Sequence, residues 1–230
     1  MAGSTRIVAL LPMKANSERV KGKNFRDFCG KPLFRWILDT LLEVEDIDQV
    51  IINTDARDIL AKNDLTDTDR VRIRDRKPEI CGDFVSMNLV LADDVANVDA
   101  DIYLMTHTTN PLMKAETVRG ALNAFREAQA EGRADSLFTV DKIQTRFYRA
   151  DCSPVNHDPD NLIRTQDLEP WFEENSNLYL FTRESFRKTN ARIGKEPMMY
   201  ESAKFESIDI DTPADWDFAV VAADHLLKQA

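Results

Sequence analysis

The sequence has few cysteines and glycines and no long hydrophobic run. Its three cysteines are widely spaced and form no CxxC pair, which argues against a disulfide framework or structural zinc and favours a reducing compartment. Its seven glycines form neither a GxxxxGKS/T loop nor a GxGxxG fingerprint. No stretch is apolar enough for a transmembrane helix, and the run near the N-terminus is too short for a secretory signal. These absences predict a cytoplasmic protein without a membrane partner.

Excess positive charge is also absent. The chain has 40 acidic residues against 30 basic residues, which gives a formal net charge of −10. Nucleic acids and anionic membranes attract proteins through concentrated lysine and arginine, so neither is expected as a partner. The basic residues that do cluster are therefore informative. Four of them lie within a short stretch near the N-terminus: Lys14, Arg19, Lys21 and Lys23.

Short apolar runs alternate with longer amphipathic segments along the chain. The runs predict strands at residues 6–12, 49–54, 101–106, 135–140, 177–181 and 205–210, and the amphipathic segments predict helices at residues 32–44, 56–62, 114–130 and 214–228. This alternation is typical of a three-layer α/β fold with a mainly parallel sheet. Residues 142–172, rich in Asp, Asn, Pro and Arg, break the rhythm. We predict there a small inserted lobe within a single domain of residues 1–230.

Two carboxylates, Asp209 and Asp211, lie at i and i+2 inside an apolar run near the C-terminus. If Ile208 and Ile210 hold this run as a buried strand, both carboxylates project from its other face, where their like charges repel. A divalent cation would relieve that repulsion. Thr212 suits the N-cap of the last helix, so the pair would lie at a strand end, where α/β proteins usually bind ligands. Two solvated acids on an exposed strand remain the alternative.

A loop of cations and small polar residues follows the first predicted strand. Residues 12–24 read PMKANSERVKGKN, a composition that suits the wrapping of a polyphosphate by side-chain cations and backbone N–H groups. An ordinary basic surface loop is the alternative that these residues alone leave open.

Six segments resemble, in the same order along the chain, the motifs of the CMP-sugar synthetases, the cytidylyltransferases that activate sialic acids and related acids. Residues 12–24 resemble PARxGSKxxPGKN, residues 76–83 (RKPEICGD) resemble RPxELASD, residues 106–112 (THTTNPL) resemble QPTSPL, residues 164–168 (RTQDL) resemble RQDL, and residues 175–179 (NSNLY) resemble NGAIY. The closing IDIDTPAD resembles the metal-binding segment of that family. The resemblance implies a Rossmann-like fold of the nucleotide-diphospho-sugar transferase kind, with a protruding lobe that carries the dimer contact.

The resemblance also implies roles for particular residues. The nucleotide-binding positions would be Lys14, Ser17, Lys21, Lys23, Asn24 and Arg76. The Mg²⁺ ligands would be Asp209 and Asp211, which together with Lys23 would be the catalytic residues. The sugar-binding positions would be His107, Asn175 and Tyr179, with Arg164 and Gln166 reaching the site of a partner subunit. A homodimer is therefore implied.

The predicted reaction is transfer of CMP from CTP to the anomeric hydroxyl of a nonulosonic or related 2-keto sugar acid, with release of pyrophosphate. Such a transfer needs Mg²⁺ to neutralise the phosphates, cations to hold the leaving pyrophosphate, and an aligned nucleophile. Lys14, Glu18 and His107 depart from the family motifs and leave two alternatives. One is a non-catalytic nucleotide- or sugar-binding relative. The other is a nucleotidyltransferase with a different nucleotide or acceptor.

Overall fold

The computed structural model describes residues 5–228. The strands in this range are β1 Ile7–Leu10, β2 Asp27–Phe28, β3 Lys31–Pro32, β4 Gln49–Thr54, β5 Val71–Asp75, β6 Ile102–Thr106, β7 Ser136–Ile143, β8 Trp171–Thr182 and β9 Pro197–Glu201. The α-helices are α1 Leu33–Leu42, α2 Arg57–Lys62, α3 Met87–Asn97, α4 Ala115–Ala130, α5 Arg183–Thr189 and α6 Pro213–Leu227. None of the helices within residues 5–228 is long and apolar enough to cross a bilayer.

Seven of these strands form one sheet in the order β5-β4-β1-β6-β8-β7-β9, and β2 pairs with β3 separately. Strand β1 is parallel to β4 and β6, and β4 is parallel to β5. Strand β8 runs antiparallel to its neighbours β6 and β7, whereas β7 and β9 are parallel. The sheet is therefore mainly parallel with one reversed strand, which confirms the predicted fold class.

Central strand β1 is buried on both faces. Ile7 and Ala9 join an apolar layer formed with α1 and α4, and Val8 and Leu10 join the opposite layer with α3. A strand covered on both faces needs apolar residues at every position, which explains the uninterrupted IVAL. Burying each large side chain of this kind contributes about 1.5–3 kcal/mol before conformational entropy is subtracted. Helical layers on both sides of one sheet form the predicted three-layer arrangement.

The four predicted helices are confirmed to within two residues at each end, as α1, α2, α4 and α6. The predicted cap is also confirmed, since the Thr212 hydroxyl accepts from the backbone N–H of Asp215, whose carboxylate accepts from the backbone N–H of Thr212. Strands β2, β3, β5 and β9 and helices α3 and α5 were not predicted. In α3 the buried positions include Asp93 and Asp94, which interrupt the apolar pattern that would have indicated a helix.

The prediction of a strand at residues 205–210 is wrong. The sheet position next to β7 belongs to β9, and residues 204–210 form a turn followed by irregular backbone. Tertiary hydrogen bonds hold this segment: Ile210 N–H donates to the Thr109 carbonyl (2.9 Å), and the Asn177 amide donates to the Glu206 carbonyl (2.8 Å). The two aspartates therefore lie on an irregular segment, held by its contacts with residues of the β6 end and β8.

The predicted lobe begins later and ends earlier than expected. Strands β7 and β8 continue as a pair as far as Ile143 and Trp171, so the connecting segment is residues 144–170. Its regular structure is a 3₁₀ turn at Thr165–Asp167. Several of its bonds are internal, such as Gln144 donating to the Leu168 carbonyl (2.9 Å). The segment therefore folds largely on itself at the end of a two-stranded ribbon.

Candidate active site

A cavity of about 270 Å³ lies at the carboxyl ends of β1 and β6. After β1 the chain adds β4 and β5 on one side of that strand and then places β6 on its other side. Open α/β sheets usually bind ligands at the point between two such strands. The cavity is lined by the loop after β1, the turn after β6 and the irregular segment before α6. Six of the predicted site residues line it: Lys14, Ser17, Lys23, Asn24, His107 and Asp211.

Hydrogen bonds hold the basic loop in place at both ends. Where the chain leaves β1, Met13 N–H donates to the Asn53 carbonyl (3.1 Å). Farther along, the Asn24 amide donates to the Lys14 carbonyl (2.9 Å) and accepts from the Thr108 hydroxyl (2.7 Å). Asn24 is buried, so these bonds are protected from water and tie the loop to the β6 end.

Arg76 lies beneath the loop and does not line this cavity. Its guanidinium donates to the Met13 carbonyl (3.2 Å) and to the Asn53 side-chain oxygen (3.0 Å). The Asn53 amide in turn donates to Asp94 (2.8 Å), which also pairs with Arg74. This buried chain of polar contacts runs from α3 to the start of the basic loop. The geometry assigns Arg76 a part in positioning the loop, while direct nucleotide contact stays a prediction.

Asp211 lies between two cations. Arg19 Nη1 is 3.1 Å from Asp211 Oδ2, and Lys23 Nζ is 3.5 Å from Asp211 Oδ1. Lys23 also donates to the Ile210 carbonyl at 2.5 Å and is 7% exposed. Burial lowers the pKa of Lys23, and the charges of Asp211 and Asp209 oppose that shift. Lys23 thus binds both the backbone and the side chain of the segment that carries the aspartates.

Asp209 does not line the cavity, but it lies close enough to Asp211 and Lys23 for their charges to act on its carboxylate. Burial raises the pKa of Asp209, a hydrogen bond from Thr109 lowers it, and the neighbouring Asp211 raises it. No group of three or more His, Cys, Asp or Glu side chains suited to a metal was found among residues 5–228. Mg²⁺ commonly takes one or two protein carboxylates and completes its shell with water and phosphate oxygens. The pair therefore fits a Mg²⁺ shared with a nucleotide, whereas a closed protein cage does not form.

His107 lines the cavity immediately after β6. Burial lowers the pKa of His107 to about 4, with further lowering from the positive charges of Arg192 and Lys23. The imidazole is therefore neutral at physiological pH, so it offers one N–H donor and one nitrogen acceptor to a ligand.

Asp209 and five further predicted residues also lie outside the cavity lining. Asn175 donates to Ser202 (2.8 Å) and Asp141 (3.2 Å), and Tyr179 is buried on β8. Lys21 is exposed on the loop. Arg164 and Gln166 are exposed on the segment 144–170. The single chain therefore does not bring these five residues together with the carboxylates, and their roles stay predictions.

Three charged residues near the cavity were not predicted from the sequence. Arg19 binds Asp211, as described above, and Asp83 forms a salt bridge with Lys14 across the cavity mouth. Both lie inside segments that resemble the family motifs, and that position could have identified them as site residues. Arg192 packs against the Tyr179 ring with its guanidinium carbon 3.8 Å from the ring centre. It lies in the sequence NARIGK, which has no pattern that would have identified it.

Two titratable groups are expected to give the free energy of unfolding opposite pH slopes. Burial raises the pKa of Asp94 from 3.8 to about 6, so the native state keeps a proton that the unfolded state releases, and stability falls as pH rises through this range. Folding lowers the pKa of His107 from 6.5 to about 4. Between these values the unfolded state binds a proton that the native state does not, so stability rises as pH rises. At about 1.4 kcal/mol per pKa unit, each effect is on the order of a few kcal/mol, and the two act in opposite directions.

Urea unfolding at pH 4.5 and pH 6.5 separates these contributions. Relative to the unmodified protein, Asp94→Asn should make stability rise with pH, because the slope from His107 is no longer opposed. His107→Gln should make stability fall with pH. Identical pH slopes in all three proteins would contradict both assignments.

Comparisons with known proteins identify the family of this chain. A family model described as Cytidylyltransferase matches residues 8–225. CMP-N,N'-diacetyllegionaminic acid synthase of Legionella pneumophila is 27% identical, with 92% of this chain and 93% of that protein covered. Pseudaminic acid cytidylyltransferase of Campylobacter jejuni is 21% identical, with coverages of 93% and 94%. N-acylneuraminate cytidylyltransferase of Oncorhynchus mykiss is 25% identical over 93% of this chain, which spans only 49% of that protein's length.

Solved structures share the fold at lower identity. CMP:2-keto-3-deoxy-manno-octonic acid synthetase complexed with CTP superposes with a TM-score of 0.65 at 17% identity, covering 97% of this chain and 100% of that one. The 4-diphosphocytidyl-2C-methyl-D-erythritol synthase of Anaerococcus prevotii gives 0.66 at 15% identity, with coverages of 96% and 97%. The family model extends over nearly the whole sequence and includes every element that builds the cavity. The chain therefore belongs to the cytidylyltransferase family.

Proposed function

We propose that this protein transfers CMP from CTP to the anomeric hydroxyl of a nonulosonic or related 2-keto sugar acid and releases pyrophosphate. The observation that carries the proposal is that one cavity joins the cations Lys14, Arg19 and Lys23 to the carboxylate Asp211. The cations suit a polyphosphate, and the carboxylate suits the metal ion that accompanies it. Relatives named for legionaminic and pseudaminic acids support a sugar acid as the acceptor.

The reaction forms one bond and breaks another at the α-phosphorus of CTP. The sugar's anomeric oxygen attacks that phosphorus in line, its proton passes to Asp209 or Asp211, and the bond to the β-phosphate oxygen breaks. Lys23 and Lys14 stabilise the charge that develops on the leaving pyrophosphate. Asp209 and Asp211 would hold Mg²⁺, which neutralises phosphate charge when bound. Neutral His107 would hydrogen-bond the acceptor beside the reacting oxygen.

Pyrophosphate release tests the proposal. Purified protein, CTP and Mg²⁺ are combined with a panel of nonulosonic acids and 3-deoxy-manno-octulosonic acid, and each reaction is repeated without acceptor. Release that depends on one acceptor, with the CMP-sugar identified by mass, is the expected result. Binding of CTP without release for any acid would support a non-catalytic relative. Parallel reactions with UTP, ATP and GTP test for another nucleotide.

We also propose that the protein acts as a homodimer through the segment 144–170 and the adjoining strand ends. Several large apolar side chains are exposed there: Tyr148, Leu162, Ile163, Trp171 and Phe172. A cluster of this kind on one segment is typical of an interaction surface. Such a contact would let Arg164 and Gln166 reach the partner's cavity, which these residues do not line within their own chain.

A paired substitution tests the dimer. Ile163→Glu with Phe172→Glu should convert a dimer into a monomer at about 10 µM, because burying two carboxylates at an apolar contact is costly. Activity should fall with the dimer, since each site would lose the partner's residues. Sedimentation velocity gives the mass, and Phe218→Glu, which alters an exposed phenylalanine on α6, is the matched control. A monomeric unmodified protein with full activity would refute the proposed dimer.

The cellular setting is part of the same proposal. We infer a cytoplasmic enzyme whose CMP-sugar serves as the donor for cell-surface polysaccharide synthesis. A CMP-linked sugar is an activated glycosyl donor, so a glycosyl transfer is the class of reaction that would consume it.

A further inference from the structure

Arg192 is a partly buried cation between β8 and the end of β6. Its side chain is 20% exposed, and its guanidinium stacks on the face of the Tyr179 ring at 3.8 Å. Tyr179 pairs across the sheet with Met105, which lies two residues before His107 on the β6 end. The positive charge of Arg192 also helps to lower the pKa of His107. Arg192 does not line the cavity itself, but it lies on the β8 side of it, close enough for its charge to act on the cavity residue His107.

The hydrogen-bond donors of Arg192 have weak partners within residues 5–228. Nη2 is 3.5 Å from Glu174 Oε1, and Nη1 faces the Met105 sulfur at 3.9 Å. Glu174 Oε1 also accepts from the Tyr179 hydroxyl, so one oxygen is shared between two donors. A guanidinium has five N–H groups in a planar fork, which suits a carboxylate held by two parallel bonds. Much of the donor capacity of Arg192 is therefore left for a ligand.

Arg183 provides an internal comparison. It also lies over a buried aromatic ring, with its guanidinium carbon 5.9 Å from the centre of the Tyr103 ring. Its Nη2 donates to the Val98 carbonyl (2.8 Å) and the Tyr103 hydroxyl (2.7 Å), and it pairs with Asp99 at 2.9 Å. These short bonds to oxygen give Arg183 a structural role. Arg192 has the same kind of aromatic support without the short bonds, so packing alone does not account for its charge.

We propose that Arg192 binds the carboxylate of the acceptor and thereby selects sugar acids over neutral sugars. This assignment rests on the proposed function and adds a residue that determines specificity. The Tyr179 ring holds the planar guanidinium in one orientation, which reduces the entropy lost when the acceptor binds. His107, adjacent on the β6 side, contacts the same end of the acceptor.

The test pairs a change in the protein with a change in the ligand. Steady-state kinetics compare the panel acid that turns over fastest with its C1 carboxamide, which has the same shape without the charge. The unmodified protein should prefer the acid by about 10–100-fold in kcat/KM, the value of a charge-assisted hydrogen bond. Arg192→Gln should reduce that preference to within roughly threefold, with the KM for CTP unchanged. Arg183→Gln should keep the full preference.

Conservative replacement and binding measurements sharpen the result. Arg192→Lys should give an intermediate preference, because it keeps the charge and loses the planar fork. Thermal melting of the Gln variants shows whether each is folded. Full preference for the acid in folded Arg192→Gln would overturn the proposal.

A protein without turnover would contradict the proposed function, yet the inference would still be tested by calorimetry. In that case the panel acids are titrated into both variants and the unmodified protein. Loss of acid binding in Arg192→Gln alone would support the carboxylate contact. Equal binding by all three proteins, or binding by none of them, would overturn it.

Discussion

Asp211→Asn is expected to lower kcat by roughly three powers of ten while the protein stays folded. Asp211 is the carboxylate that lines the cavity and touches both Arg19 and Lys23. The amide keeps the size of the side chain and removes its negative charge, so the variant loses the proposed ligand for Mg²⁺ and the partner of two cations. Because metal and cations act on the charge that develops in the transition state, the loss should fall mainly on kcat.

Magnesium dependence distinguishes this role from a structural one. The Mg²⁺ concentration that supports half-maximal rate should rise in Asp211→Asn if the carboxylate binds the metal. Asp217→Asn, which alters an exposed aspartate on α6, is the matched control and should leave kcat within a factor of about two. A folded Asp211→Asn protein with normal turnover at low Mg²⁺ would remove Asp211 from the mechanism.

Lys23→Met is expected to lower kcat by about 10²–10³-fold, the usual effect of removing one stabilising group from a preorganised site. Lys23 is buried at the cavity wall and bonds the Ile210 carbonyl, between the two aspartates. Methionine fills a similar volume without charge, so the leaving pyrophosphate loses a cation. The Ile210 carbonyl also loses its donor, which loosens the segment that carries both carboxylates.

Kinetics and stability separate the two effects of this substitution. Circular dichroism and thermal melting report folding, and steady-state rates at saturating CTP report kcat. Lys62→Met, on the exposed side of α2, is the matched control, and its activity should match the unmodified protein. A rise in the KM for CTP with unchanged kcat would show that Lys23 contributes equally to ground-state and transition-state binding, contrary to the proposed role.

The basic loop shows how far local sequence can predict a site. Its cations follow a buried strand, and parallel strands end at one edge of a sheet, so a position at the ligand-binding edge could be predicted. In the structure, Lys14, Lys23 and Asn24 line one cavity with Asp211. Which cation would pair with which carboxylate could not be predicted, because the partners are far apart in the chain; Lys23 and Asp211, for example, are separated by 188 positions.

The carboxylate segment shows where local pattern failed. Alternating Ile208, Asp209, Ile210 and Asp211 have the period of a strand, yet the segment has irregular backbone. Strand β9 takes the place beside β7, and residues 204–210 pair with no strand of the sheet. The segment instead satisfies its backbone through tertiary contacts such as Ile210 with Thr109, which no local pattern encodes.

The sequence by itself determined the α/β class, the four amphipathic helices, the cap at Thr212 and the basic loop that contains Lys14 and Lys23. These features depend on hydrophobic period, turn chemistry and side-chain type, all of which are local properties. Only the tertiary structure decided that Arg76 supports the loop from below, that Lys23 holds the Ile210 carbonyl, and that Arg192 lies on Tyr179 near His107. Those contacts join distant parts of the chain, so they follow from the packing of the whole fold.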